Sequence, residues 1–379
     1  MTTKRNFKTL LFILVILVIK PLQAQEDESS KGINIGNIIE MSGNWFIAYR
    51  NGIEQSHPDE TTPVVQSTEN QFMLKRSYFT LKKDLNDVLS VRYTQDLTID
   101  TEGSDAGNVE TRLKYLYLKI KPELRSKTFT GTYMEIGMVH TPWVDFEQKI
   151  NSYRVHDNMF IERNKLTSSA DFGVLVAGNI GPVMDKEYLK TVNGAMKGKY
   201  MSYAFGVFNG AGYSGREANH NKVVEGRLSF RPFPNKVPEL QFSTSFMLGK
   251  GNSEFSPEFT QYLGFLAYVG KQLTLVAQGH TGTGDFRARY VEDDHPEIAL
   301  DNQGYSFFGE YKIKNSPFAV WGRYDDFKVL EKINFNTKRY IAGVAYTIND
   351  YLRVVGAYER NETFEEDNDI YEINFEVSF

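Results

Sequence analysis

The ten residues IYEINFEVSF (370–379) place Tyr371, Ile373, Phe375, Val377 and Phe379 on one side and Glu372, Asn374, Glu376 and Ser378 on the other. A period of two is the repeat of a β-strand with one apolar and one wet face, and it is incompatible with a helix. The same pattern recurs upstream. In 88–98 (VLSVRYTQDLT), Leu89, Val91, Tyr93 and Leu97 oppose Ser90, Arg92, Thr94 and Asp96. In 222–231 (KVVEGRLSFR), Val224, Leu228 and Phe230 oppose Glu225, Arg227, Ser229 and Arg231. In 303–313 (QGYSFFGEYKI), Tyr305, Phe307, Tyr311 and Ile313 oppose Ser306, Glu310 and Lys312.

About sixteen such segments follow one another, near 43–50, 72–82, 88–98, 109–120, 131–139, 171–178, 197–208, 222–231, 239–248, 258–269, 272–281, 303–313, 317–325, 338–348, 351–360 and 370–379. Their links alternate between short (83–87, 233–239, 270–272, 314–317, 349–350) and long and polar (51–71, 99–108, 140–170, 209–221, 282–302, 326–337, 361–369). That parity is expected of a transmembrane antiparallel β-barrel with tight turns at one end and long loops at the other. A secreted β-sandwich array also alternates along its strands, but it has no reason to keep the parity. One link breaks the rule: 179–196 (NIGPVMDKEYLKTVNGAM) falls in a short slot and is long. The fold class expected is therefore all-β, a closed barrel of about 16 strands. In hydrocarbon every backbone polar group must be paired, so the sheet must close. Sixteen strands leave an aqueous channel, whereas eight fill with side chains.

Composition narrows the classes further. The 379 residues are 14% aromatic, with 30 Gly, no Cys and a net charge of −5. The absence of Cys excludes a disulfide scaffold and a thiolate-ligated zinc or iron–sulfur site. An acidic chain carries no global footprint for nucleic acid. Residues 1–24 read as a secretory signal peptide: Lys4, Arg5 and Lys8 precede an apolar run from Leu10 to Ile19, and Leu22-Gln23-Ala24 offers a cleavage site. Removing it leaves a charge of about −9. Residues 25–42 read as a periplasmic lead-in, too short for a plug, and 43–379 as the barrel.

The stretch 131–163 (GTYMEIGMVHTPWVDFEQKINSYRVHDNMFIER) resembles the segment of phosphate-selective porin O/P-type proteins in which a strand ends in Gly-x-x-x-x-Pro and a loop ends in Phe/Met-x-Glu-Arg. The matching positions are Gly137, Pro142, Phe146, Glu147, Phe160, Glu162 and Arg163. Further echoes lie at 72–82, 91–98, 171–178, 206–213 and 221–234, and Phe379 is similar to the terminal residue by which the barrel-assembly machinery recognises its clients. The resemblance implies an outer-membrane porin of a Gram-negative bacterium, a sixteen-stranded homotrimeric channel whose third outer loop, here 140–170, folds into the pore. Its partners would be outer-membrane lipid and small hydrophilic solutes, with phosphate or other anions as candidates.

A pore discriminates by its radius and by rings of charge on the wet face. Taking the polar face of each strand as the lumen makes Arg92, Arg227, Arg231, Lys312, Arg323, Arg339 and Arg353 the basic candidates, and the loop adds Lys149, Arg154 and Arg163. Arginine suits phosphate or carboxylate because its planar fork donates two parallel hydrogen bonds. The same faces carry Asp96, Glu225, Glu310, Glu372 and Glu376, so the alternative is that these arginines pair with carboxylates and stiffen the wall. The expectation is a passive diffusion channel with mild anion preference. A channel for sugars, with Trp321 beside Arg323 as a stacking platform, is the alternative within the same class. An enzyme on a barrel finds little support. There is no Gly-x-Ser-x-Gly elbow and no His-Glu-x-x-His motif, and no cofactor or metal is expected.

Overall fold

Among the described residues, seventeen strands form one antiparallel sheet that closes on itself. Residues 33–35, 39–56, 66–100, 107–124, 126–364 and 366–379 are described by a computed structural model of the chain. The signal segment 1–24 lies outside these residues, and so does most of the lead-in. A short β1 (Ile33–Ile35) folds back on the start of β2 (Ile39–Ser56), so the barrel wall begins at Ile39. The wall continues through β3 (Gln66–Asp84), β4 (Leu89–Ile99), β5 (Val109–Ile120), β6 (Phe129–His140), β7 (Ala170–Ile180) and β8 (Met201–Phe208). It goes on through β9 (Val223–Phe230), β10 (Leu240–Lys250), β11 (Glu258–Val269), β12 (Leu273–Thr283) and β13 (Asp301–Lys312). It ends with β14 (Phe318–Val329), β15 (Thr337–Thr347), β16 (Leu352–Thr363) and β17 (Glu366–Ser378). Each of the sixteen wall strands β2–β17 overlaps one alternating segment of the sequence, although β2 and β3 run on into the expected link 51–71 and β8 begins only at Met201.

The seam lies between β17 and β2, paired from Glu366↔Ser56 to Ser378↔Asn44. It is finished by Gly43 N–H donating to the Phe379 carbonyl at 2.8 Å and Phe379 N–H to Gly43 at 3.0 Å. Pairing across the seam leaves no free sheet edge, which is the condition for a strand to sit in lipid. The exterior is apolar: on β17 Tyr371 is 53% exposed, while its neighbour Glu372, turned inward, is 2% exposed. Aromatic rings pair along the outside near the long loops, Tyr324 with Tyr340 at 5.0 Å and Tyr358 with Tyr371 at 5.1 Å. Near the short turns, Phe318 meets Tyr346 at 4.8 Å and Trp45 meets Phe379 edge-on at 5.1 Å. Two such belts mark the two interfaces of a membrane. Among the described residues, no helix is long and apolar enough to cross one.

Of three register shifts, one lies between β6 and β7 near Thr130 and Tyr133, and the other two bring extra basic side chains to the inner face. Between β2 and β3, Phe46 pairs with Arg76 but Ile47 with Leu74, which leaves Lys75 as an extra residue. Between β4 and β5, Thr94 pairs with Tyr115 but Gln95 with Leu113, which leaves Lys114 over. A β-bulge lets two successive side chains point the same way. Lys75 with Arg76, and Lys114 with Tyr115, accordingly all face the interior.

Phe379 closes the seam only because nothing stands above Gly43, where a Cβ would lie 2.4 Å from the ring's Cζ. Gly43→Leu is expected to expel the ring and destabilise the barrel by about 1–3 kcal/mol. The readout is the temperature at which the folded band converts to the unfolded one on a detergent gel, and an unchanged temperature would contradict the role given to this contact.

Candidate functional site: an inward-folded loop and a basic passage

Strand β6 leads directly into residues 141–169, which turn into the barrel instead of out into solvent. Gly137, at φ +127 within β6, sits where the pairing with β5 runs out, and a Cβ there would fall 2.2 Å from the Leu116 carbonyl. The loop contains two single-turn helices, α1 (Val144–Glu147) and α2 (Phe160–Arg163). Trp143, Phe146, Ile150, Tyr153, Val155, Phe160, Ile161 and Leu166 are all buried, in one cluster with Phe259, Phe265, Phe308, Trp321, Phe327 and Ile341 of β11 and β13–β15. The inner faces of those strands carry large apolar side chains among their polar ones. In β11, Leu263, Phe265 and Ala267 face the loop, while Tyr262 and Leu266 face lipid. Burial of so many large side chains is what draws the loop inward.

Polar contacts then fix its path. Arg353 donates to the Ser152 carbonyl at 2.5 Å, Arg323 to the Asn158 carbonyl at 2.7 Å and Arg339 to Asn164 Oδ1 at 3.0 Å. Tyr153 donates to Glu310 at 2.8 Å, and Gln278 and Trp143 both donate to Glu147 at 2.6 and 2.9 Å. Burial pushes the Glu147 carboxyl up to about 6, opposed by those two donors. At the loop tip, His156 bridges two wall carboxylates, Nδ1 to Glu372 at 3.1 Å and Nε2 to Glu359 at 3.0 Å. Arg50 and Lys75 each reach Glu372 at 2.6 Å, and Arg163 pairs with Glu359 and Asp157. Burial alone would lower the His156 pKa, but the two carboxylates it donates to hold it above the ordinary histidine value.

The loop thus packs against β11 and β13–β15, and three cavities lie in order along β3–β6, the middle and inner ones sharing part of their lining. The outer one, about 320 Å³, is lined by six basic side chains (Lys75, Arg76, Arg112, Lys165, Arg287, Arg289) against two carboxylates, Asp96 and Glu162. The middle one, about 310 Å³, has Arg92, Lys114, Lys149 and Arg154 against Asp145. The inner one, about 870 Å³, shares Arg92, His140, Asp145 and Lys149 with the middle one and adds Lys82, Lys83, Lys119, Lys121, Lys197 and Arg227, with Glu40, Asp84 and Glu135. Among the described residues Arg76, Lys114, Lys165, Arg287 and Arg289 form no ion pair with a carboxylate. Lys114 Nζ sits 3.8 Å from the Tyr213 ring centre, and Arg92 lies over Tyr115 at 4.5 Å. Arg154 grips Glu162 through both Nη atoms at 2.5 and 2.8 Å. Burial alone would raise the Glu162 carboxyl, but that guanidinium holds it well below the usual range.

Of the residues singled out from sequence, Arg92, Lys149, Arg154 and Arg227 come together on this passage. Arg163, Arg323, Arg339 and Arg353 lie instead at the contact between loop and wall. Arg231 holds a turn at the other end of the barrel, donating to the carbonyls of Met196 (2.9 Å) and Pro238 (2.7 Å). Lys312 is exposed beside Glu310. Trp321 offers no face to a sugar, because Tyr153 stacks on it at 4.2 Å. Lys75 and Lys114 escaped the period-two reading because both sit at bulges.

No family model matches the sequence, and no curated protein matches it significantly. Solved structures do. The chain is similar to OmpF of Salmonella typhi in complex with daunomycin (TM-score 0.58, 12% identity, 91% of this chain and 99% of that one). It is also similar to the outer-membrane OmpT of Vibrio cholerae (0.55, 9%, 92% and 100%) and to an anion-selective porin of Comamonas acidovorans (0.54, 11%, 90% and 99%). The fold is that of a porin. At such identities the shared feature is the sixteen-stranded barrel itself, and the passage must be read from this chain's own residues.

His156→Ala would leave Glu359 and Glu372 buried with fewer donors, at a cost of about 3 kcal/mol. The expected result is a loosened loop, seen as frequent sub-state transitions in single-channel recordings. Because the His156 pKa is raised by folding, its contribution is complete below the ordinary histidine value and is lost as pH rises through the raised one. The wild-type protein should therefore grow noisier in alkali, and the variant should not change further. Equal alkaline noise in both would remove His156 as the cause.

Proposed function

We propose that this chain is an outer-membrane diffusion channel of a Gram-negative bacterium that passes small hydrophilic solutes and prefers anions. The observation that carries the reading is the excess of cations over carboxylates in all three chambers. The net acidity of the chain does not oppose it, because much of the negative charge sits in outer loops such as 293–297 and 361–369. In a narrow passage with low-dielectric walls a fixed cation is screened less than on an open surface, so it raises the local anion concentration. Inorganic phosphate is the candidate solute, since Arg76, Arg287 and Arg289 have no carboxylate partner among the described residues, although Arg76 already donates to Asn158 and Arg287 to Ser214, and a guanidinium suits a tetrahedral oxyanion. The solute moves passively; the reading assigns no reaction and no cofactor to the protein. Assembly as a homotrimer, and insertion by the barrel-assembly machinery through the strand ending in Phe379, belong to the same reading. The anion-selective porin among the structural neighbours supports it by analogy of fold alone.

Reversal potentials across planar bilayers under a KCl gradient test the preference. Chloride is expected to permeate more readily than potassium, and clear cation preference would remove the proposal. Lys149→Glu changes a partly exposed side chain shared by the middle and inner chambers, and should lower the chloride-to-potassium ratio roughly fivefold. An unchanged ratio would take the passage away from this loop.

A further inference from the structure

The long link in a short slot is the feature of this barrel that the channel reading leaves unused. Residues 181–200 connect β7 to β8 at the end where every other described connection between wall strands is a tight turn or a brief coil. They first extend the hairpin: Val183 bridges Gly198, and Met184 N–H donates to the Lys197 carbonyl at 2.9 Å. A short α3 (Lys186–Thr191) follows, capped by Asp185, whose carboxylate accepts from the Glu187 and Tyr188 N–H groups. The chain then enters the barrel mouth. Asn193 and Met196 are buried, and Met196 belongs to the same apolar cluster as Phe146 and Phe265.

This entry is held from three sides. The Asn193 side chain accepts from the N–H groups of Ala195 (3.0 Å) and Met196 (3.4 Å), while its amide donates to Gln241 Oε1 of β10 at 3.1 Å. Arg231, just past the end of β9, donates to the carbonyls of Met196, Gly198 and Pro238. Tyr188 donates to the Pro238 carbonyl at 3.0 Å, tying the insertion to the next turn. A buried guanidinium satisfied by three carbonyls specifies one backbone path. The outcome is that Val183, Gly194, Ala195 and Lys197 form part of the wall of the inner chamber, which β3 and β4 also line through Lys82, Lys83 and Ser90.

We infer that the inserted turn is a second constriction of the channel, at the short-turn end of a chamber whose wall the inward loop shares, and that Lys197 is its anion-attracting residue, since Lys119 on the same chamber is already paired with Glu135 at 3.1 Å. The inference rests on the proposed passage and adds a size and charge filter at the periplasmic exit. Solutes meet the loop's basic face first and this turn last, so rejection can occur at either end.

The absence of cysteine makes a clean test available. Ala195→Cys and Lys197→Cys, each carrying the only thiol in the chain, are exposed in bilayers to a bulky anionic methanethiosulfonate, with labelling checked by mass. Lys149→Cys in the inward loop and Lys190→Cys on the exposed side of α3 serve as controls. Modification at 195 or 197 is expected to remove current in discrete steps, as at 149, while modification at 190 leaves it intact. Lys197→Glu is expected to shift the reversal potential toward potassium. Full current after labelling at both 195 and 197, with block at 149, overturns the second constriction and leaves the channel reading standing. Labelling without block at all three positions overturns both.

Discussion

A strand in hydrocarbon cannot leave its backbone N–H and C=O groups unpaired, and the whole protein is organised around that requirement. It is met where β17 zips onto β2, with Gly43 and Phe379 exchanging the last two hydrogen bonds. Once the sheet is closed, each strand has a lipid side and a lumen side, and the alternation of residues becomes an assignment of every side chain to one solvent or the other. The cost of a charge on the wrong face keeps that assignment strict, as on β17, where Glu372 and Asn374 turn in and Tyr371, Ile373 and Phe375 turn out.

Closure leaves a lumen, and the chain packs its own loop against the inner face of β11 and β13–β15. The interior here is therefore neither wholly wet nor wholly dry. On β11 and β13–β15 it is a hydrophobic core against Trp143, Phe146, Tyr153 and Phe160, and on β3–β6 it is a water-lined wall of lysine, arginine and tyrosine. The two parts depend on each other. Arg323, Arg339 and Arg353 are consumed in holding loop positions 158, 164 and 152, which frees the loop's other side to carry Lys149 and Arg154 into the passage. Arg323 and Arg353 so placed satisfy backbone carbonyls, and Arg339 a side-chain amide oxygen, that would otherwise lack this donor.

The positions on which the resemblance to the porin O/P type rested have a common physical role. Gly137 permits the close approach of β6 to β5 shortly before the loop begins, and the Pro142 carbonyl accepts from Arg227 at 3.2 Å. Phe146 and Phe160 are buried anchors, Glu147 receives Trp143 and Gln278, Glu162 receives Arg154, and Arg163 reaches Glu359. Every one of them serves the inward course of the loop and none identifies a solute, so the motif reports pore architecture.

The alternation of apolar and polar residues, by itself, determined sixteen strands, their direction and the sorting of side chains between lipid and lumen, because period two has one structural meaning and closure follows from hydrogen-bond accounting. It also marked 140–170 and 179–196 as exceptional by their length. What only the tertiary structure decided was which inward residues meet water. Arg92 and Arg323 occupy equivalent positions in the pattern, yet one lines the passage and the other is sealed beneath the loop, since the side of the barrel on which the loop comes to rest depends on contacts more than a hundred residues apart. Lys75 and Lys114 were hidden for a different reason. A bulge shifts the phase of alternation by one residue, and only the partner strand reveals it.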